Sequence, residues 1–176
     1  AMMTTLADTL DRLTAPAQLV EPAGEAGMLR CLACAHRCRI RPGRRGVCHV
    51  RFNQDGELRV PWGYVAAAQV DPIEKKPFSH VLPGSRVLTF GMLGCNFHCS
   101  FCQNWHSSQA LRDPGAASDI EYIQTVSAEK LVRAAVANGA SSIASSYNEP
   151  LITSEWAVEI FKLAKESGLK TAMVSN

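Results

Sequence analysis

From residue 86 onward the sequence alternates short apolar runs with amphipathic segments, and that alternation limits the chain to a small set of folds. "RVLTFGML" is apolar almost throughout and of strand length, as strands buried on both faces of a parallel sheet are. "TVSAEKLVRAAVANGA" places Leu131, Val132, Ala135 and Val136 on one face of a helix, with Ser127 as N-cap and Gly139 as stop. "SSIASSYNEP" is the next strand. "TSEWAVEIFKLAKESG" turns Trp156, Ile160, Phe161 and Ala164 inward as a second helix, and "KTAMVSN" is a third strand. Strand, helix, strand, helix, strand is a βαβαβ series, which predicts an α/β fold with a parallel sheet. A complete eightfold (β/α) barrel takes about 250 residues. Residues 86–176 are therefore expected to be the first part of such a barrel, incomplete, with the last strand left as an edge.

Upstream, Leu6, Leu10 and Leu13 recur at helical spacing, which predicts a short helix over 4–14 ended by Pro16, followed by the linker "EPAGEAG". Residues 1–28 are thus an N-terminal helix and linker, 29–60 a four-cysteine module, and 61–85 a connector. Within the last two, "ELRVPWGYVAAAQV" reads as one or two short strands and "DPIEKKPFSHVLPGS" as a proline-punctuated loop. A formal charge of +2 with 47% hydrophobic residues is an ordinary globular profile. Apolar runs fall far short of the roughly 18 residues of a membrane span, and "AMMTTLADTLDRL" has no apolar signal core. A cytoplasmic address with no membrane partner is expected.

Seven cysteines in such a chain are expected to be reduced thiols, and they fall into a group of four and a group of three. Cys95, Cys99 and Cys102 are separated by three and then two residues. That spacing suits three thiolates of a cubane iron–sulfur cluster whose fourth iron stays open to a substrate, as a catalytic zinc keeps one position open. A zinc site completed by His98 or His106, or plain buried thiols, are the alternatives. Cys31, Cys34, Cys38 and Cys48 supply four thiolates, enough to close a tetrahedral zinc site or to hold a second iron–sulfur cluster that relays electrons. His36 and His49 are alternative ligands there. Residues 30–51 hold seven arginines and no acid, which reads as a solvated basic face. Only Phe52 is near for stacking, so nucleic acid is not an expected partner. Lys75 and Lys76 are either exposed or hold a carboxylate or phosphate.

"CNFHCSFC", with Phe101 before its last cysteine, resembles the CxxxCxxC signature of the radical S-adenosylmethionine (radical SAM) superfamily, on the loop after the first barrel strand. "RCLACAHRCRIRPGRRGVCHVRFN", "DPIEKKPFSHVLPGS", "GCNFHCSFCQNWHSSQ" and "SYNEP", in that order, narrow the resemblance to the AmmeMemoRadiSam-system radical enzymes, relatives of the pyruvate formate-lyase activating enzymes. It spans about residues 29–176. The resemblance implies an enzyme with a [4Fe-4S] cluster on Cys95, Cys99 and Cys102 whose open iron chelates S-adenosylmethionine. Its reduction cleaves the cosubstrate to methionine and a 5'-deoxyadenosyl radical that takes hydrogen from a substrate. It implies Phe101, Tyr147, Asn148 and Glu149 as cofactor-binding residues, Glu149 toward the amino group of S-adenosylmethionine. The local alternative is that Pro150 opens a helix with Asn148 or Glu149 at its N-terminus. Ser175 and Asn176, at the mouth end of the third strand, join them toward the ribose or carboxylate. Gln103, Asn104 and Trp105 either shield the cluster from water or, for Trp105, pack the loop from a buried position. The chain departs from the family at Ser108, where isoleucine is usual, and at Ser146, where threonine is. Neither is expected to touch a cluster ligand, so both bear on substrate fit. A reductant such as flavodoxin or ferredoxin is implied. Substrates stay open among a glycyl radical enzyme to activate, another protein or RNA to modify, and a small molecule. The rival reading is a non-enzymatic zinc-ribbon-type protein that binds nucleic acid or a partner protein. An unclosed barrel is expected to leave the isolated chain poorly active.

Overall fold

The computed structural model of the chain describes residues 5–24, 26–76, 78, 80–116 and 123–176. Helix α1, Leu6–Arg12, begins at a reciprocal cap in which the Asp8 N–H donates to the Thr5 hydroxyl oxygen and the Thr5 N–H donates to the Asp8 carboxylate. It is shorter than the expected 4–14 and ends before Pro16, because Thr14–Pro16 is strand β1. The expected linker is also partly ordered sheet. β2, Val20–Pro22, pairs antiparallel with β3, Leu29–Cys31, which pairs with β4, Arg39–Ile40. β5, Phe52–Gln54, and β6, Glu57–Pro61, form a hairpin whose third strand is β1. Its turn, Asp55–Gly56, has positive φ at both residues (51° and 95°), as a tight two-residue hairpin of the proper twist requires. Residues 5–28 thus share two small sheets with the four-cysteine stretch.

The region expected to be a connector, with short strands expected as far as Val70, contributes two strands. β7, Tyr64–Val65, pairs with β10, Gln124–Thr125, and β8, Ala67–Pro72, pairs antiparallel with β9, Arg86–Gly91. A one-turn helix α2, Trp105–Ser108, follows the three-cysteine loop. Then come α3, Ala128–Ala137; β11, Ser142–Ser145; α4, Ser154–Glu166; and β12, Lys170–Met173. The main sheet runs β12-β11-β9-β8, parallel except for β8. Among the described residues it is an open four-stranded mixed α/β sheet, and its closure into a barrel is not seen.

Alternation along β9 and β11 sorts the side chains. Leu88, Phe90 and Ile143 face the helices and meet Leu131, Val132, Trp156 and Ile160. Val87 and Ala144 face the opposite side, against Ile73. Trp156 and Ile160 are at most 1% exposed, a burial worth about 1.5–3 kcal/mol for an isoleucine-sized side chain. Ser127 caps α3 by accepting from the Lys130 N–H, and Gly139 takes φ 67° at its end, as expected. Val136 is a correction: it is 51% exposed. The buried face of α3 centres on Ala128, Leu131 and Ala135, and steps of about 100° per residue carry position 136 roughly a right angle away from it.

Among the described residues no helix is long and apolar enough to cross a membrane.

Candidate functional site

Parallel strands β9, β11 and β12 end on the same side, and the residues that follow each of them line one cavity of about 370 Å³. From the loop after β9 come Cys95, Cys99 and Cys102 with Phe97 and Phe101; from the end of β11, Ser146 to Glu149; from the end of β12, Val174 to Asn176. Cys95 is buried, while Cys99 and Cys102 are half-buried. The loop is held by residues of its own and by the next strand. The Phe97 N–H points at the Cys95 sulfur at 3.5 Å, and the Gly94 N–H donates to the Ser107 carbonyl at 3.0 Å. Gln109 and Arg112 both donate to the Phe97 carbonyl at 3.0 Å, and Arg112 also reaches the Val47 carbonyl. Nothing local in the sequence marks Gln109 or Arg112 for this task.

The residues expected at the strand ends do structural work visible here. Asn148 is clamped across the loop start: its amide donates to the Gly94 carbonyl at 2.9 Å and its side-chain oxygen accepts from the Met92 N–H at 3.3 Å. Glu149 is 2% exposed and its carboxylate accepts from the Leu151 N–H at 3.0 Å, the Ser175 hydroxyl at 2.7 Å and the Asn176 N–H at 3.1 Å. It therefore caps the 3-10 turn Pro150–Thr153 that leads into α4 and ties the end of β12 to the end of β11. Tyr147 adopts φ 73°, a conformation that costs a non-glycine residue about 1–3 kcal/mol and clusters at functional sites. Its ring lies 4.8 Å from the Lys76 ammonium, and its hydroxyl is buried beside Thr89. Lys76 is itself buried, which lowers its pKa; Lys75 instead pairs with Asp71 at the surface.

Gly91 makes the Tyr147 turn fit. A Cβ there would sit 2.5 Å from the Ser146 carbonyl oxygen and 2.9 Å from the Tyr147 ring. Gly91→Ala is expected to destabilise the chain by about 1–3 kcal/mol in urea denaturation, since backbone cannot yield cheaply; an unchanged midpoint would refute this packing.

Ser108 corrects an expectation. It is 3% exposed and its hydroxyl lies 3.4 Å from the Cys102 sulfur, so it does touch an expected ligand. Ser146 lines the cavity without such a contact. Phe101, expected at the cofactor, is 85% exposed on the cavity rim. Gln103 and Asn104 line the cavity, whereas Trp105 is 37% exposed rather than buried, stacked at 4.0 Å on His106.

Cys31 lies in β3 and is buried, as is Cys48; Cys34 and Cys38 are half-buried. Burial pushes the Cys31 and Cys48 thiols up, and the nearby Arg51 guanidinium pulls both back. Cys31 feels the charges of Cys34 and Cys38, and Cys48 feels that of Cys31, so the four sulfurs share one neighbourhood. This stretch abuts the other cysteine loop. A cavity of about 300 Å³ runs between Cys34–His36 and Asn96, Phe97, Glu149 and Asn176, with the His36 and Phe97 rings 6.4 Å apart edge to face. A Cβ on Gly94 would strike Val50 at 2.6 Å and the Cys48 carbonyl at 3.0 Å. Burial, with Arg112 and Arg45 nearby, pushes the His49 imidazole pKa down.

Among the described residues no three His, Cys, Asp or Glu side chains are grouped to hold one metal ion. A zinc needs its thiolates about 2.3 Å from a single centre, so zinc in the four-cysteine stretch requires its thiols to draw closer together. A cubane makes no such demand, because each of its thiolates binds a different iron. Three thiols on one loop, opening on a cavity with room for a ligand beside them, fit that group.

Comparison with known proteins agrees with this donor set. Residues 90–176 match the family model described as the radical SAM superfamily. An uncharacterized protein of Methanocaldococcus jannaschii is 36% identical over 149 residues, which cover 84% of this chain and 43% of that protein. The chain spans less than half the length of this relative. No solved structure matches.

Proposed function

We propose that this chain, whose residues 90–176 match the radical SAM superfamily model, carries the cluster- and cosubstrate-binding part of an enzyme akin to the activating enzymes. The observation that carries the reading is the placement of Cys95, Cys99 and Cys102 in a cavity walled by the ends of β11 and β12. Those three thiolates would hold a [4Fe-4S] cluster. When bound and reduced, the cluster supplies the electron that splits S-adenosylmethionine into methionine and a 5'-deoxyadenosyl radical, which takes hydrogen from the substrate.

The protein's own residues prepare that chemistry. Asn148, Gln109 and Arg112 fix the loop backbone so that the thiols are presented rather than searched for. Glu149 holds Ser175 and Asn176 at the cavity wall, where their backbone and side-chain groups face the cosubstrate's polar end. Phe101 on the rim offers a ring face to the adenine. Cys31, Cys34, Cys38 and Cys48 hold a metal, zinc or a second cluster, against the same site. A flavodoxin- or ferredoxin-like protein supplies the electron, and a protein is one of the substrate classes that the resemblance leaves open.

Once Cys102 is a thiolate, only the Ser108 hydroxyl can donate in their contact, and hydrogen bonds to cluster sulfurs stabilise the reduced state. Ser108→Ala is expected to move the cluster potential to a more negative value in an electron paramagnetic resonance redox titration; an equal or higher potential would rule the contact out as a tuning element. The function itself is tested by incubating the anaerobically reconstituted, dithionite-reduced chain with S-adenosylmethionine. Release of 5'-deoxyadenosine and methionine in equal amounts is expected. Recovery of the cosubstrate intact from the cluster-loaded, reduced chain would overturn the reading.

A further inference from the structure

The seven arginines of residues 30–51 divide by what they touch. Arg30 pairs with Glu21, Arg45 with Asp11 and Arg51 with Glu155. Among the described residues, Arg37 and the trio Arg39, Arg41 and Arg44 have no carboxylate within ion-pair distance. Those three, with buried Met28, line a single cavity of about 330 Å³ that shares no residue with the cysteine-lined ones.

Their backbones are fixed in advance. β3 and β4 pair Leu29 with Ile40 and Arg30 with Arg39, which brings Met28 level with Arg41. The Asn53 amide donates to both the Gly27 and Ile40 carbonyls, at 2.7 and 2.8 Å, and locks those two segments together. The turn is closed by the Arg44 N–H on the Arg41 carbonyl and the Asn53 N–H on the Arg44 carbonyl. Arg39 is steadied by its bond to the Ala23 carbonyl at 3.2 Å. Three like charges around one concavity repel one another, and among the described residues no carboxylate pairs with them.

We propose that the cavity of Met28, Arg39, Arg41 and Arg44 binds the phosphate group of a phosphate ester. Guanidinium forks match phosphate oxygens two at a time, and three cations suit a dianion better than the single charge of a carboxylate. The concavity admits a compact group, and Met28 gives the ester's carbon portion an apolar wall. A free phosphate monoester offers such oxygens as a dianion, and the backbone of a nucleic acid offers them as successive singly charged diesters, so both present oxygens that a guanidinium fork can take.

Calorimetric titration of the reconstituted chain with pyrophosphate, and separately with a short single-stranded thymidylate oligonucleotide, tests the site. Saturable binding is expected, weakened at least about tenfold in the Arg41→Gln/Arg44→Gln variant. It is expected to be unchanged in Arg30→Gln, which removes a charge from the same stretch outside the cavity; circular dichroism checks that both variants are folded. Oligonucleotide binding much tighter than that of pyrophosphate, steeply salt-dependent and lost in the same double variant, assigns the phosphate to a nucleic acid. Oligonucleotide binding no tighter assigns it to a free ester. Absence of saturable binding by either probe, or an equal loss in Arg30→Gln, would overturn the site.

Discussion

Cys99→Ala is expected to abolish assembly of the cubane while leaving the fold in place. Cys99 is half-buried on the loop and packs little, so its truncation falls in the range of surface changes, within about 0.5–1 kcal/mol. The two thiols that remain, Cys95 and Cys102, cannot hold a cluster that draws one thiolate from each of three irons. Iron and acid-labile sulfide after anaerobic reconstitution, with the reduced-state paramagnetic signal, provide the readout, and circular dichroism provides the folding control. Cys34→Ala is the informative comparison, since it removes a thiol from the other group and is expected to leave the signal of the three-cysteine loop intact. A Cys99→Ala chain that retains the wild-type signal would mean that the loop does not carry the cluster.

Arg51→Ala is expected to cost about 3–5 kcal/mol of stability, a large share of what a domain of this size has. The Arg51 and Glu155 side chains are 1% and 3% exposed and meet in a fork, Nη2 to Oε1 and Nη1 to Oε2, both at 2.7 Å. Arg51 also donates to the Ile152 carbonyl at 3.1 Å, and Glu155 accepts from the Gln18 and Leu19 N–H groups at 3.2 and 3.1 Å. Removing the guanidinium leaves a buried carboxylate held by backbone N–H groups with no charge to balance it. Replacing both partners, as Arg51→Met with Glu155→Leu, is expected to recover most of the loss. Burial on its own would raise the Glu155 carboxyl, but the hydrogen bonds and charge of Arg51, with the Leu19 N–H, hold it below the usual carboxylate range. A depressed folded-state pKa gives stability that is complete above the unfolded value, about 4.3, and is lost as pH falls through the folded value. Urea denaturation is therefore expected to show wild type losing stability below about pH 4, with a smaller loss in the double variant. A cost under about 1 kcal/mol for Arg51→Ala would contradict the pin. The pair matters for the site because it anchors the residues after Cys48 to the start of α4, beside Glu149.

The parts of the fold that were legible are those set by neighbours in sequence. Ser127 and Gly139 mark the ends of α3 because caps and stops are local, and β9, β11 and β12 announce themselves as apolar runs between helices. β1 and β2 were missed because each is three residues long and ends in proline, and each exists only through a partner, Pro61 for Thr14 and Leu29 for Pro22. β8 was legible only as far as Val70, inside the strand reading of "ELRVPWGYVAAAQV": "AAQVDP" is weakly apolar, and it is six residues of pairing with β9 that carry the strand to Pro72. At the site, the cysteines and the segment from Ser146 to Glu149 were legible by spacing and by position at strand ends. The tasks of Asn148 and Ser108 were not, since their partners, Gly94 and Cys102, are identified only when the loop folds back. Arg51 and Glu155 are 104 positions apart, and neither is marked in the sequence as half of a buried pair.

The central claim is that the open side of a three-thiolate cluster faces the cavity built by the ends of β11 and β12. An electron paramagnetic resonance spectrum of the anaerobically reconstituted, reduced chain, recorded with and without S-adenosylmethionine, tests it most directly. A cubane signal whose g-values shift on adding the cosubstrate is the result this account predicts. A cubane signal that stays unchanged, or no cubane signal in a folded and fully reconstituted chain, would contradict it.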